Sequence, residues 1–368
     1  MTAPAPDSPL LLLFACSVAA FGAAAGSPLA VLCIAIAYLV LKRLLLLRPL
    51  SEFELLPHDI PCTEARVESW LRERDQREAP LQPGAESAVQ WARAPGVATE
   101  LCIVSLHGWG ACPRELSPVP ERLAGELGAN LLRFRYTAHG LQPTERGGEA
   151  MLAQQNATVL RAEAATAFSL GALLGKRVVL LGCSTGGSLS LWLAAQPWTA
   201  RALAGLVLVS PGLRLTMPAL LWEVMSWVVV LLPPPAARSV LRAANGGPHK
   251  EPKIRLPPGP RADALAMYWT RRYPIGAGLH PITTFRLISA SVPFERIGVP
   301  VLSLGNPRDP VNSFEAMGAR QPTQRSNAPL SVRVAAVSPT AVPAWQPRRS
   351  RASRGPSSRW WTTRRTRT

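Results

Sequence analysis

The chain has 368 residues, of which 48% are apolar, and this apolar content excludes a wholly disordered protein. Lysine and arginine number 40 against 23 acidic residues, which gives a formal net charge of +17. Because 11 arginines and no acidic residue lie after residue 317, the positive charge belongs mostly to the C-terminal segment. The charge therefore does not indicate a nucleic-acid-binding domain, and no nucleic-acid partner is expected.

The first 50 residues form the predicted membrane anchor. Two apolar runs, residues 9–25 and 28–47, are separated by Gly-Ser-Pro, and each is long enough as a helix to cross a bilayer. Three interpretations compete: a two-helix membrane hairpin, a signal peptide followed by one spanning helix, and a buried helix of a soluble domain. The basic residues Lys42, Arg43 and Arg48 favour the cytoplasmic side after the second run.

A change of pattern near residue 100 indicates a new domain. Residues 51–99 are polar, with a helical segment near 64–78, and are interpreted as a connector plus the first strands. Short apolar runs then alternate with helix-like stretches, which predicts an α/β fold with a mostly parallel sheet and flanking helices. The predicted strands are 101–106, 131–136, 178–181, 206–209 and 299–304, and the predicted helices are 120–127, 148–174 and 186–195.

Residues 211–292 interrupt this alternation and are interpreted as an inserted, helical and Pro-rich cap. Within the cap, the stretch 217–232 is strongly apolar and contains Trp222 and Trp227. It is interpreted first as a buried cap helix. An apolar pocket wall or a surface that dips into a membrane is the alternative, and the two interpretations are compatible.

The motif most indicative of chemistry is G-x-S-x-G at Gly182, Ser184 and Gly186. It follows a predicted strand and precedes a predicted helix, which is the context of a nucleophile elbow. Glycines on both sides of the serine allow a turn sharp enough to expose its hydroxyl group. The backbone N–H of Thr185, at the start of the helix, is then positioned to stabilise a developing oxyanion.

A second turn, His107-Gly108-Trp109, follows the strand at 101–106. We expect the Trp109 backbone N–H to be the second oxyanion donor. For His107 a structural hydrogen bond within the turn is favoured over a catalytic role. The six cysteines include no C-x-x-C pair, so neither a zinc site nor a disulfide framework is predicted, and no cofactor is expected.

In this order of strand, His-Gly turn, elbow and cap, residues 100–317 resemble the α/β-hydrolase family. The resemblance is to its membrane-anchored esterase, monoacylglycerol-lipase-like and serine-aminopeptidase-like members. It implies that Asp309, after the strand at 299–304, is the acid of a Ser-His-Asp triad. It also implies hydrolysis of an ester or amide through an acyl-enzyme, and the apolar cap favours a small apolar ester or an acyl-lipid.

The chain departs from this family pattern at one essential point. The family order is Ser, then Asp or Glu, then His, but none of the five histidines follows Asp309. The catalytic histidine is therefore unknown, and His280 or His249 in the cap is only a possibility in principle. An inactive member used for binding or scaffolding is the alternative function.

Residues 318–368 are rich in Arg, Pro and Ser and lack apolar periodicity. They are predicted to be a disordered basic tail, interpreted either as a diverged extension or as out-of-frame translation. A further interpretation is an interaction protein that binds through this tail. The substrate and the oligomeric state are not indicated by the sequence.

Overall fold

The computed structural model describes residues 28–47, 55–78, 80–142, 144–250, 259, 268–270, 272–319 and 332–336. The first apolar run, at 9–25, lies outside the described residues, as do Arg48 and most of the Pro-rich stretch of the cap. The predicted basic tail also lies outside them, apart from seven residues, 318–319 and 332–336.

The centre of the structure is a seven-stranded sheet in the order β1-β3-β2-β4-β5-β8-β9. Only β1 is antiparallel to its neighbour, and the other pairs are parallel. The prediction of an α/β fold with a mostly parallel sheet is therefore confirmed. The strands are β1 Ala88–Gln90, β2 Thr99–Leu106, β3 Asn130–Phe134, β4 Gly175–Cys183, β5 Leu203–Val209, β8 Val301–Gly305 and β9 Val332–Ala336.

The helices complete the described fold. In chain order they are α1 Pro28–Leu47, α2 Val67–Gln76, α3 Val119–Leu127, α4 Thr144–Gln154, α5 Ala157–Leu174, α6 Thr185–Ala194, α7 Ala219–Leu231, α8 Pro234–Asn245, α9 Leu279–Ser291 and α10 Phe314–Ala319. A two-stranded ribbon of β6 His249–Lys250 and β7 Tyr273–Pro274 lies between α8 and α9.

Side-chain alternation along β2 distributes the core to both faces of the sheet. Val104 packs in the larger apolar cluster with α5 and α6, whereas the adjacent Ile103 packs with Ala124 of α3 on the opposite face. Successive side chains of a strand point to opposite faces, so a central strand covered on both sides must be apolar throughout. This requirement explains the continuous apolar runs in the sequence.

Two elements differ from the sequence-based expectations. The single helix predicted at 148–174 is two helices, because the Asn156 side chain accepts hydrogen bonds from the backbone N–H groups of Thr158 and Val159, both at 2.9 Å, and so caps a new helix. Residues 332–336, expected within a disordered tail, form β9, which pairs in parallel with β8.

The segment 51–99 is more than a connector, because α2 is fixed to the sheet by a buried ion pair. Arg135 is fully buried, and its Nε and Nη2 atoms donate to Asp75 Oδ1 at 3.1 and 2.9 Å. The other carboxylate oxygen of Asp75 accepts from the backbone N–H of Ser87 at 2.6 Å. These contacts connect α2 to the segment that leads into β1 and to the end of β3.

The second apolar run forms α1, which packs against the cap helices α7 and α9. Lys42 is buried, and its Nζ donates to the backbone oxygen of Leu232 at the end of α7, at 2.8 Å. A cation there also complements the negative end of the helix dipole. The Trp227 ring lies between two guanidinium groups, Arg43 at 4.7 Å and Arg286 at 4.8 Å.

Only one helix among the described residues meets the length and apolarity expected of a membrane span, and it is α5. Two thirds of it is buried inside the protein. Its Leu160, Phe168 and Leu170 side chains belong to the main core cluster. Its apolar character is therefore explained by core packing.

Replacing Asp75 by alanine is expected to lower the free energy of unfolding by about 3–5 kcal/mol, because the Arg135 guanidinium would remain buried without its main partner. The matched control is Asp59→Ala, which removes the exposed partner of Arg77 and is expected to cost less than about 1 kcal/mol. Urea unfolding curves measure both values. Equal losses in the two variants would contradict the structural role of the buried pair.

Candidate active site

Ser184 lies at the junction of β4 and α6 with φ +47° and ψ −111°. This left-handed conformation is unusual for a residue with a side chain, and it persists only where the surroundings fix it. Here the Ser184 N–H donates to Val209 O at 2.9 Å, and the Ser184 carbonyl accepts from Gly212 at 3.0 Å. The turn is therefore held by the end of β5 and the loop that follows it.

The two motif glycines are required by close approach. A side-chain carbon on Gly182 would come within 2.5 Å of Gly186 O, and one on Gly186 would overlap the backbone of Leu106 at the end of β2. Real side chains do not reach such distances without moving the backbone. The G-x-S-x-G spacing thus reflects a turn packed directly against the neighbouring strand.

The two predicted oxyanion donors come from the two turns that meet at this edge of the sheet. Thr185 is fully buried and begins α6, and N–H groups in the first turn of a helix have no acceptor within the helix. Trp109 follows Gly108, whose α-carbon faces the elbow, since a side-chain carbon there would lie 3.2 Å from Ser184 Cβ. The structure therefore brings the Trp109 turn and the Ser184 turn together.

His107 is held by backbone groups on both ring nitrogens. Its Nδ1 lies 2.8 Å from Gly108 O, and its Nε2 accepts the Tyr136 N–H at 3.1 Å, which makes Nδ1 the protonated nitrogen. Burial, together with nearby His139, lowers the pKa of His107 well below its ordinary value of 6.5. His107 is thus a neutral, fully engaged side chain that supports the turn.

Asp309 lies in the loop after β8, where its side chain stabilises its own turn. Its Oδ1 accepts from the backbone N–H groups of Val311 at 2.8 Å and Asn312 at 3.0 Å. Its backbone oxygen accepts from the Thr216 hydroxyl at 2.9 Å. In the described part of the chain no imidazole contacts the Asp309 carboxylate.

Asn312 is the side chain that contacts the serine hydroxyl. Its Nδ2 lies 3.2 Å from Ser184 Oγ and 2.9 Å from Ser210 O. The Ser210 carbonyl oxygen can only accept a hydrogen bond, so the Asn312 atom beside it is the amide nitrogen. The group that faces Ser184 Oγ is therefore the amide N–H. An amide N–H donates to the hydroxyl oxygen and does not accept its proton.

The cap histidines contact other groups. His280 Nε2 lies 3.4 Å from Leu152 O, and its ring centre is 5.8 Å from that of Trp109. His249 Nδ1 lies 3.3 Å from Arg272 Nη2 in the ribbon. Neither ring has a described hydrogen bond to Ser184, so the described residues supply no imidazole base for it.

Sequence reasoning did not identify Asn312, which contacts Ser184, or Glu115, which contacts the Gly108 turn. Asn312 could have been noticed as a polar side chain three residues after Asp309 at the carboxyl end of a strand. Glu115 gives no comparable signal, because its approach to the site depends on the path of the loop between β2 and α3. Among the described residues no cluster of potential metal ligands is present.

The family model that matches the chain is described as the alpha/beta hydrolase family, and it covers residues 103–349. This is about two thirds of the sequence and includes both turns, the elbow, the cap and β8. The chain belongs to the α/β-hydrolase family. A comparison with curated protein sequences gives no match.

Solved structures similar to this α/β-hydrolase include lipolytic proteins of low sequence identity. One was reported with the metagenome-derived lipolytic enzymes LipS and LipT and is 18% identical, covering 70% of this chain and 89% of its own, with a TM-score of 0.49. Another is a monoacylglycerol lipase of Paleococcus ferrophilus, 18% identical, covering 64% and 82%, with a TM-score of 0.42. A soluble variant of monoglyceride lipase from Saccharomyces cerevisiae is 15% identical, covering 65% and 78%, with a TM-score of 0.43.

Acidification is expected to remove the stability that buried, neutral His139 contributes to this hydrolase fold. Burial lowers the pKa of His139 to about 4, whereas the unfolded chain protonates it near 6.5. Between these values the unfolded state binds more protons, so stability falls as the pH falls. This residue alone should contribute a loss on the order of 2 kcal/mol between pH 7 and pH 5.

The measurement is the difference in unfolding free energy between pH 7 and pH 5 for the wild type and for His139→Gln. The glutamine variant should show the smaller difference. His58→Gln, which changes an exposed histidine, is the matched control and should behave like the wild type. A His139→Gln variant with the full wild-type pH dependence would contradict the assignment.

Proposed function

We propose that this chain has the site of a serine hydrolase that cleaves carboxylic esters, with amides as the less favoured class. The observation that carries the proposal is the conformation of Ser184, a side-chain-bearing residue at φ +47° between a strand and a helix. The surrounding structure maintains this strained backbone, and strain of this kind concentrates at functional sites. Family membership supports the same reaction type.

In this mechanism Ser184 Oγ attacks the carbonyl carbon of the substrate. The Thr185 and Trp109 N–H groups would bind the oxygen that becomes negative, and such donors are worth about 3–4 kcal/mol each in comparable enzymes. The leaving group departs with a proton, and water then hydrolyses the acyl-enzyme. Asp309 would orient and stabilise the imidazolium of a histidine base.

The described residues provide no imidazole base to accept the proton of the Ser184 hydroxyl group. A serine hydroxyl requires a neighbouring base to be a good nucleophile at neutral pH. The described group that contacts Ser184 Oγ is the Asn312 amide, which is a donor. This contact favours the alternative function, a catalytically inactive family member that retains the fold for binding or scaffolding.

The proposed substrate class follows from the cap. Helix α7 is apolar along its length, with Trp222, Val229 and Val230 buried and four other apolar side chains exposed. A cap of this composition offers an apolar substrate more favourable contacts than a charged one. We therefore propose a small apolar ester or an acyl-lipid as the substrate.

We also propose that the chain is attached to a membrane, with the hydrolase domain on the cytoplasmic side. Helix α1 exposes a row of large apolar side chains, including Leu29, Leu32, Ile36 and Leu44, which are 51–69% exposed. Helix α7, which packs against α1, adds Leu220 at 78% and Val224 at 55%. Exposed apolar surfaces of this kind mark interaction sites. The uncharged run at residues 9–25, which precedes α1 in the sequence, adds further apolar residues for contact with a bilayer.

A fluorophosphonate probe is expected to label this chain weakly or not at all at Ser184, since probe attack also requires an activated serine. Loss of one triad member lowers turnover on the order of 10⁴ to 10⁶. Ser184→Ala gives the background. Asn312→Ala removes the amide donor and, without a base, should not restore labelling.

The same probe also tests whether a histidine after Asp309 makes Ser184 reactive. A version of the chain or a relative in which a histidine follows Asp309 should label at Ser184, and Ser184→Ala should abolish that labelling. Strong labelling of the present chain would contradict its inactivity, and His280→Ala would then test whether the cap supplies the base. A histidine-bearing version that fails to label would contradict the serine-hydrolase proposal.

The membrane proposal predicts that the full chain pellets with membranes and resists carbonate extraction. The double variant Leu32→Glu/Ile36→Glu should reduce the membrane-bound fraction, because it places two charges on the exposed apolar face of α1 that is proposed to contact the bilayer. Leu127→Glu, on the exposed side of α3, is the matched control and should not change it. Recovery of the intact chain in the soluble fraction would contradict membrane attachment.

A further inference from the structure

The loop that follows Trp109 returns a carboxyl group to the Ser184 site. Glu115 Oε2 accepts the backbone N–H of Gly108 at 2.6 Å, seven residues earlier in the chain. A turn between Ala111 and Gly108 and a second between Glu115 and Cys112 close the intervening segment. The carboxyl group is thereby directed back at the turn that precedes Trp109.

The same carboxyl group also contacts the elbow. The Cys183 side chain, on the residue immediately before Ser184, interacts with the Glu115 carboxyl group. The three groups are closely packed, since a side-chain carbon placed on Gly108 would lie 3.2 Å from Glu115 Oε1 and 3.2 Å from Ser184 Cβ. Glu115 thus connects the two turns that together would form the oxyanion site.

We propose that Glu115 is a positioning residue of the oxyanion site: its carboxyl group binds the Gly108 N–H beside the Cys183 side chain and holds the Trp109 turn against Ser184. The assignment to an oxyanion site rests on the proposed function, whereas the connection between the two turns does not. Because the Gly108 N–H is engaged by Glu115, it is not available to an oxyanion, and Trp109 provides the next N–H in the turn.

Burial of the Glu115 carboxyl raises its pKa to about 7, despite the opposing hydrogen bond from Gly108 and the interaction with Cys183. The titratable groups that interact with it are Cys183, Cys112 and Tyr136. Burial raises the pKa of Cys112 to about 12 and those of Cys183 and Tyr136 well above their ordinary values. These three groups therefore stay neutral while Glu115 changes its charge near pH 7.

Other charged groups act on members of this cluster: Glu163 on Tyr136, Asp309 on Cys183, and Arg135 and Arg74 on His107. Arg114 and Glu86 are exposed and act on Cys112. His107, on the turn itself, is kept neutral by burial. Ionisation of Glu115 therefore strengthens its bond to the Gly108 N–H, because hydrogen bonds to charged acceptors are about twice as strong as neutral ones.

The test is amide hydrogen exchange at single-residue resolution on the resting full-length chain between pH 6 and pH 8, corrected for intrinsic exchange. In the wild type, protection of the Gly108 amide should rise with pH as Glu115 ionises. Glu115→Ala should lower that protection at pH 8 by about tenfold or more. Glu115→Gln retains an oxygen acceptor, so it should keep the protection within about threefold and lose its pH dependence.

Glu126→Ala, which changes an exposed carboxylate on α3, is the matched control and should leave Gly108 unchanged. Unchanged protection in Glu115→Ala, or the same pH dependence in Glu115→Gln as in the wild type, would overturn the proposal. If Glu115→Ala fails to fold, the glutamine variant still decides the outcome through its pH profile.

A second measurement separates this proposal from the proposed function. Phenylboronic acid forms a tetrahedral adduct with a reactive serine, and one of its oxygens would occupy the oxyanion site. Where the wild type forms the adduct, Glu115→Ala should bind at least about tenfold more weakly and Glu115→Gln within about threefold. Equal affinity in all three would overturn the oxyanion role. No adduct in the wild type would agree with the inactive alternative function, and the exchange experiment then decides whether Glu115 holds the Gly108 turn.

Discussion

The arrangement of the whole site depends on the parallel pairing of β2 with β4. After the edge strand β1, the chain runs through β2, continues to β3 on one side of β2 and then crosses to β4 on the other side. Leu106 pairs with Gly182, so β2 and β4 end at the same edge of the sheet. From that edge the chain continues to one side of the sheet after β2 and to the other side after β4. A topological switch point of this kind creates the crevice in which α/β proteins place their sites.

The close packing at this edge explains why small residues surround Ser184. Gly182 and Gly186 approach other backbone atoms at distances that exclude a side-chain carbon, and a side-chain carbon on Gly108 would be in tight contact at 3.2 Å. The positive φ of Ser184 is compatible with this packing because Val209 and Gly212 hold its backbone from the next strand. The pairing of the strands thus provides the rigidity that keeps the strained Ser184 turn in place, independently of any catalytic group.

The cap is stabilised from the N-terminal side of the chain. Lys42 of α1 bonds the end of α7, and Arg43 lies over Trp227, whose other neighbour is Arg286 of α9. Through α9, which packs against α6, these contacts reach the helix that follows Ser184. The segment proposed to attach the chain to a membrane is therefore also part of the structure that covers the site.

Asn312 and Glu115 give the site a balance of donors and acceptors that differs from a complete triad. The amide donates to Ser184 Oγ, which needs an acceptor for its proton, and the carboxyl group engages the turn that would stabilise an oxyanion. The oxyanion side of the site is accordingly better equipped than the base side.

The sequence alone determined the strands and turns that depend on residues close to one another in the chain. Apolar runs defined β2, β3, β4, β5 and β8 to within a few residues, because a strand buried on both faces has to be apolar throughout. The G-x-S-x-G motif identified Ser184 and its turn, because strand, motif and helix follow one another directly in the sequence. The absence of a histidine after Asp309 was likewise evident from the order of residues.

Only the tertiary structure decided what depends on contacts between distant segments. The break between α4 and α5 arises from a side-chain cap that apolar periodicity does not reveal, and β9 depends on pairing with β8 rather than on its own pattern. Asn312 reaches Ser184 across 128 residues, and Glu115 reaches Cys183 from another strand's loop. Such contacts follow from the path of the chain around the sheet, which residue spacing does not encode.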